Sequence, residues 1–389
     1  DGGTSRCTTT SGAVTLRNIT AALNLYSNIL VLANGAVSVD FVVADNCGQN
    51  GLSIQNQRAL SAAPVSLKRI DASNNLANGI FVLSRGSITL DGFTTSGNYG
   101  NVYLGVEGTT ASVTIKASYP NGNSADFSIG GYSGVFISCN GTVSISGVRA
   151  NMNSGHGIEV SAGNGSVTIT GNPNTGHSAD SNTLNGTHVI TKGSITITDM
   201  DANSNGGDGL HLDNHEGTGS VKVTRGLYSG NIGDGIQIYT TGAVSVTGAN
   251  AQYNRQSGLL VSNAFPRKQP VTITGGIYDS NTSGLYIYSA GTVTIKDIEA
   301  ADNSLRYYSI NYDTQYRDYI VWNDDRWNFM VSSGGFSTTV IVRSKTATSA
   351  TLYSPTGAPI VSNSGTDYKL IAGTLAVNAD PYYVLVTST

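Results

Sequence analysis

Residues 143–170 read VSISGVRANMNSGHGIEVSAGNGSVTIT. A Val-Ser-Ile triplet opens the stretch at Val143. Asn153 stands ten residues later and Gly157 fourteen later, and Gly157-Ile158-Glu159-Val160 follows before a second triplet begins at Val167. Side chains alternate in both apolar runs: Val167 and Ile169 flank Thr168, and Ile158 and Val160 flank Glu159. Alternation with period 2 marks a strand with one buried face. Strands this short cannot bury that face alone, so they need copies of themselves.

The copies are present. Triplets start at Val14, Val37, Val65, Ile88, Val113, Val143, Val167, Ile195, Val221, Val244, Val271 and Val293, 22 to 30 residues apart. Asn recurs ten residues after most starts, at Asn75, Asn98, Asn153, Asn205, Asn231, Asn254, Asn281 and Asn303 among others. Self-similarity at this period predicts a solenoid in which each repeat is one rung. The expected fold is therefore all-β, a stack of about twelve rungs. Residues 11–310 resemble the right-handed parallel β-helix of pectate-lyase-like proteins. An inward Asn at a bend, in the left-handed conformation, predicts an amide ladder. The Gly four residues on predicts a second positive φ. Gly/Asn/Ser-rich excursions at 117–131 and 171–187 read as inserts on one face.

Composition narrows the function. Charged residues are 12% of 389, about half the usual share. The strict alternation of the 39% apolar residues excludes disorder. A net charge of −4 argues against a nucleic-acid partner. No apolar run approaches the roughly 20 residues of a membrane-spanning helix. The sequence begins at Asp1 rather than Met, which reads as a mature, exported product at the cell surface or beyond. Asn18, Asn140, Asn164, Asn185 and Asn281 are glycosylation sequons. Three cysteines leave at least one unpaired within the chain. Cys47 takes the Asn position of the second rung and Cys7 lies in the segment covering the first. A Cys7–Cys47 disulfide is expected, with Cys139 free.

The repeat stops after Asn303, so the solenoid with its N-terminal cover is assigned to 1–310 and a second domain to 311–389. That tail carries both Trp residues, Trp322 and Trp327, and alternating runs at Asn328–Ser332, Thr338–Arg343, Ala350–Tyr353, Tyr368–Ile371 and Tyr382–Thr387. This reads as an antiparallel β-sandwich. Trp327-Asn328-Phe329, Leu370-x-Ala372-Gly373 and Tyr382-Tyr383-Val384-Leu385-Val386 resemble the pre-peptidase C-terminal-type sandwich of secreted bacterial proteins.

Candidate chemistry is sparse. The densest group of acids and histidines is Asp208, His211, Asp213, His215 and Glu216, which could hold a cation or serve a polysaccharide lyase or hydrolase, or be a solvated turn. Gly155-His156-Gly157 echoes an enzyme motif, but its Gly157 belongs to the repeat. Phe81, Tyr103 and Phe136 occupy the outward position of consecutive strands, predicting an apolar contact stripe. The outward position of the triplets is Ser or Thr in every rung except at Lys222, a hydroxyl file suited to solvent or to glycans. No cofactor and no metal are expected. The leading expectation is an extracellular structural protein, a subunit of a filament, sheath or adhesive layer whose partners are copies of itself. An enzyme on acidic polysaccharide and a glycan-binding adhesin are the alternatives.

Overall fold

The computed structural model describes residues 12–57, 62–108, 110–116, 132–171, 178–263, 269–289, 293–300 and 303, except the side chain of Lys296. It also describes the backbone of strands at 5–8, 125–126, 326–331, 337–343, 347–353, 359–364, 370–374 and 382–388. The protein is all-β, with no helix among the described residues, and is a parallel β-solenoid. The chain divides into two compact units, Asp1–Gly207 and Asp208–Thr389.

In the first unit the triplet strands run in parallel in sequence order. They are Val14–Ala22, Val37–Asp45, Val65–Asp71, Ile88–Thr94, Val113–Lys116, Val143–Ser146, Val167–Thr170 and Ile195–Thr198. A second parallel sheet is built from the strands after the repeat Gly. It runs through Ile29–Leu32, Leu52–Asn56, Asn78–Ser84, Gly100–Val106, Val135–Ser138, Ile158–Ser161 and Thr187–Ile190. Register does not slip: like residues face like, so Val39, Leu67 and Leu90 from one sheet and Ile54, Val82 and Leu104 from the other are fully buried. A one-residue slip would turn every one of these side chains outward. Single bridges from Arg149 to Ser178 and from Ser178 to Asp201 mark a third, shorter face.

The second unit repeats the plan. Leu210–Asp213, Ile236–Thr240, Ser257–Asn263 and Ser283–Ser289 form one parallel sheet, and Val221–Thr224, Val244–Thr247, Val271–Thr274 and Val293–Lys296 another. Beyond them Ser337–Arg343 pairs antiparallel with Leu370–Thr374. Arg326–Val331, Tyr382–Ser388, Ala347–Tyr353 and Pro359–Ser364 form a four-stranded antiparallel sheet. The domain boundary at 310 and the side chains that would make a sandwich core lie outside the described residues.

Three details differ from expectation. The left-handed residue at the ladder corner is the one before the ladder position: Asn74 before Asn75, Met152 before Asn153, Ser204 before Asn205. The turn is made one residue early, which aims the Asn side chain inward. The repeat Gly does not need a positive φ either. A Cβ on Gly79 would lie 2.4 Å from the Ala72 carbonyl oxygen and 2.7 Å from Asn98 Nδ2. Glycine stands there because the carbonyl of its own rung and the amide of the next both lie too close for a methyl group. The bridge expected between Cys7 and Cys47 is not seen at Cys47, a free buried thiol whose Sγ donates to the Asn50 carbonyl at 3.1 Å. The side chain of Cys7 lies outside the described residues, as do insert residues 172–177 and all side chains of 117–131.

Candidate functional site

The Asn ladder is internal. Asn98 Oδ1 accepts both the backbone N–H (2.8 Å) and the side-chain Nδ2–H (2.9 Å) of Asn75, and Asn98 Nδ2 donates to the Ala72 carbonyl (2.9 Å). Asn231, Asn254 and Asn281 repeat this in the second unit, and Asn281 N–H donates to Asn303 Oδ1 at 2.9 Å. Two members escape the spacing rule. Asn182 links Asn153 to Asn205 through 3.0 Å bonds on either side. Asn101 accepts from Asn98 at 3.1 Å and donates to Asn153 at 3.0 Å, so it carries the ladder from one to the other. All are buried, and they hold rungs together rather than meet a ligand.

A second file, not anticipated from the repeat, occupies the position just before the repeat Gly. Its side chains accept the backbone N–H of the next rung. Asn50 Oδ1 takes Asn78 N–H at 3.0 Å, and His156 Nδ1 takes Asn185 N–H at 3.2 Å. In the second unit Asp208 Oδ1 takes Asp234 N–H at 2.7 Å, and Asp234 Oδ1 takes Ser257 N–H at 2.6 Å. In the first unit this file reads Asn50, Asn78, Gly100, Ser133, His156, Asn185. At Gly100 it has no side chain and at Ser133 a short one. A groove of about 300 Å³ opens there, lined by the rings of Tyr103, Tyr132 and Phe136, the polar side chains of Asn78, Ser133 and Glu159, and Gly100.

The aromatic stripe borders this groove. Phe81, Tyr103 and Phe136 are in register, with centroids 5.0 and 5.1 Å apart and planes tilted 22°. Each ring covers its neighbour's face, so the three are half-buried rather than an exposed stripe. Near the stripe two aromatics are exposed, Tyr99 and Tyr132, 55% and 58% accessible and packed edge to face at 4.6 Å. Their hydroxyls share a 3.1 Å bond, which holds the Tyr99 phenol above its ordinary pKa. Sequence reasoning missed this pair because it lies at a corner, where strand alternation gives no direction.

Past Phe136 the outward file turns polar: Glu159 is opposite Phe136, and His188 opposite Glu159. His156, three residues before Glu159, brings its ring to 4.7 Å from that of His188. One ligand atom each of His156, Glu159 and His188 lies within 4.8 Å of the others, and all three side chains are half-buried. Ser133 Oγ–H donates to Glu159 Oε2 at 2.7 Å. The motif dismissed as a chance echo, Gly155-His156-Gly157, thus acquires partners from its own strand and the next.

The acid and histidine cluster read from the sequence forms two pairs. His211 Nδ1 meets Asp208 Oδ2 at 3.1 Å, and the exposed His215 meets Asp213 Oδ1 at 2.5 Å. Glu216 is exposed. Asp208 carries ladder bonds, and its neighbour in that role is Asp234, which the sequence reading passed over. Asp234 is fully buried; burial, opposed by the Ser257 N–H and reinforced by the Asp208 charge, pushes its carboxyl up to about 6. Gln237 donates to Asp234 Oδ2 at 3.0 Å. Tyr239, 5.7 Å from the His211 ring, is raised by burial and then by the acids around it.

Comparison with known protein families, with curated proteins and with solved structures gives no match. The class of the protein is therefore set by its fold, a parallel β-solenoid, and its particular function has to come from the groove and the side chains around it.

Proposed function

We propose that the protein is an extracellular glycan-binding protein that holds neutral sugars in the groove beside Tyr103, Tyr132 and Phe136. One observation carries this reading: aromatic rings and hydrogen-bonding side chains face the same open groove. Sugars present apolar C–H faces and a rim of hydroxyls, and such sites pair rings with a few placed polar groups. Asn78 and Ser133 offer both donors and acceptors. The charged lining residue is the carboxylate Glu159, and no Lys or Arg lines the groove among the described residues. That charge disfavours uronic acids, which turns the reading away from acidic polysaccharide and from lyase chemistry. A volume of about 300 Å³ lies at the small end for ligand sites and suits one or two sugar rings. The extracellular part of the reading rests on the resemblance of the C-terminal runs to a sandwich of secreted bacterial proteins.

A glycan array tests this. Binding to a set of neutral glycans is expected, with at least a tenfold loss in Tyr132→Ala at an unchanged melting temperature. Equal binding by wild type and Tyr132→Ala, or a preference for acidic glycans, would defeat it.

A second reading, the self-assembling structural subunit, is favoured by exposed apolar side chains that recur just after the ladder position. They are Leu25, Leu76 (75% accessible) and Tyr99. A repeated apolar ridge suits contact with another copy. Sedimentation velocity would show assembly that Leu76→Ser weakens; monomers at every concentration would remove this reading.

A further inference from the structure

We infer that His156, Glu159 and His188 form a binding site for a divalent transition-metal ion of the zinc class. The inference stands apart from the glycan reading, although Glu159 lines the groove as well. Two imidazoles and one carboxylate are the donor set of three-ligand zinc sites, which keep further positions open for water or another oxygen ligand. Here two come from adjacent strands and the third from the turn that precedes the first of them. Glu159 and His188 are lateral neighbours in a parallel sheet, and His156 is fixed three residues upstream. Their ligand atoms lie within 4.8 Å of one another. Bonds of 2.0–2.1 Å in tetrahedral array require about 3.3 Å, a contraction within reach of small side-chain rotations.

Two surroundings favour coordination. Ser133 Oγ–H holds Glu159 Oε2 at 2.7 Å, orienting the carboxylate as outer-shell partners of metal ligands do. The two rings lie 4.7 Å apart between centroids, and one nitrogen of each is among the ligand atoms within 4.8 Å of one another. One feature opposes it. His156 Nδ1 accepts the Asn185 N–H at 3.2 Å, which in the neutral ring places the proton on Nε2. Coordination through Nε2 moves that proton to Nδ1 and gives up this hydrogen bond. The bond is long and joins neutral groups, so its loss is small beside a metal–imidazole bond.

The test uses untagged, metal-stripped protein titrated with zinc chloride by calorimetry, with retained zinc counted by mass spectrometry after gel filtration. About one zinc per chain is expected. His188→Ala should weaken binding at least about 100-fold. His156→Asn is the sharper variant: Asn keeps an oxygen for the Asn185 N–H, as Asn50 does for Asn78, so the rung stays intact while the imidazole is gone. It should lose zinc with an unchanged metal-free melting temperature. His211→Ala, in the second unit, should bind as wild type does. Zinc retained at full affinity in both His188→Ala and His156→Asn, loss in His211→Ala instead, or no binding by folded wild type would each overturn the inference. Since no sugar is present, failure here is distinct from failure of the glycan reading.

Discussion

Replacing Asp234 by Asn should stabilise the protein at neutral pH and leave it unchanged in acid. The position accepts the Ser257 N–H through Oδ1 at 2.6 Å and a Gln237 amide N–H through Oδ2 at 3.0 Å. Asn50, Asn78 and Asn185 occupy the same place in other rungs, so an amide fits. Asn keeps the first bond, and rotation of the Gln237 amide restores the second. Only the titration differs. The carboxyl has its ordinary value of 3.8 when unfolded and about 6 when folded. Below pH 4 both states hold the proton and Asp behaves like Asn. Between pH 4 and 6 the folded state keeps a proton that the unfolded state has released, so stability falls as pH rises. Above pH 6 the folded state carries a buried charge and the loss is complete. A gap of about 2 pH units corresponds to roughly 3 kcal/mol. Urea unfolding of wild type and Asp234→Asn, followed by circular dichroism from pH 3.5 to 7.5, reads the difference directly. The two should coincide at the acid end, with the variant ahead by roughly 3 kcal/mol at the neutral end. A difference that does not change with pH, or a variant weaker at pH 7.5, would refute the reasoning.

Two further outcomes follow from the packing. Gly79→Ala places a methyl 2.4 Å from the Ala72 carbonyl and 2.7 Å from Asn98 Nδ2; it should cost about 2–3 kcal/mol by urea unfolding, and a neutral result would show that the ladder can move aside. Burial pushes the Cys139 thiol up to about 11, leaving about one thiolate in a thousand at pH 8. Iodoacetamide should therefore label Cys139 at least about 100-fold more slowly in native protein than in urea, as read by peptide mass spectrometry; comparable rates would mean the thiol is accessible.

The solenoid was legible because its signal is redundant. Each rung restates the inward Val and Ile, and a parallel stack in register buries them all alike, as Val39, Leu67 and Leu90 do. The role of the repeat Gly was misread because sequence gives the residue but not the distance to the next rung, and here the distance decides. Asn101 and Asn182 were missed for a related reason: spacing was counted from triplets, while the ladder follows space and uses whichever amide lies within 3.1 Å. The grouping of His156, Glu159 and His188 was missed because they span 33 residues of sequence and look unrelated until strands of adjacent rungs are aligned. The compact local cluster, Asp208 to Glu216, drew attention by its density alone, and its members satisfy one another in pairs.

A regular solenoid has difficulty making a concave site. Every rung repeats the same outward residue types, so its faces are flat and alike. A site needs the period to fail in one place while the core stays continuous. That happens here around Gly100 and Ser133. The gap from Val113 to Val143 is the longest between triplets, the Asn ladder crosses it by way of Asn101, and the N–H-accepting file lapses at Gly100 and Ser133. The groove opens at that lapse. Next to it the outward file changes from rings to Glu159 and His188, and an imidazole replaces the amide of the accepting file at His156. Core residues on either side, Val102, Leu104, Val135 and Ile137, remain fully or almost fully buried. The departures therefore cost the fold little, and they place aromatic, amide, carboxylate and imidazole groups together where a uniform surface would offer only hydroxyls.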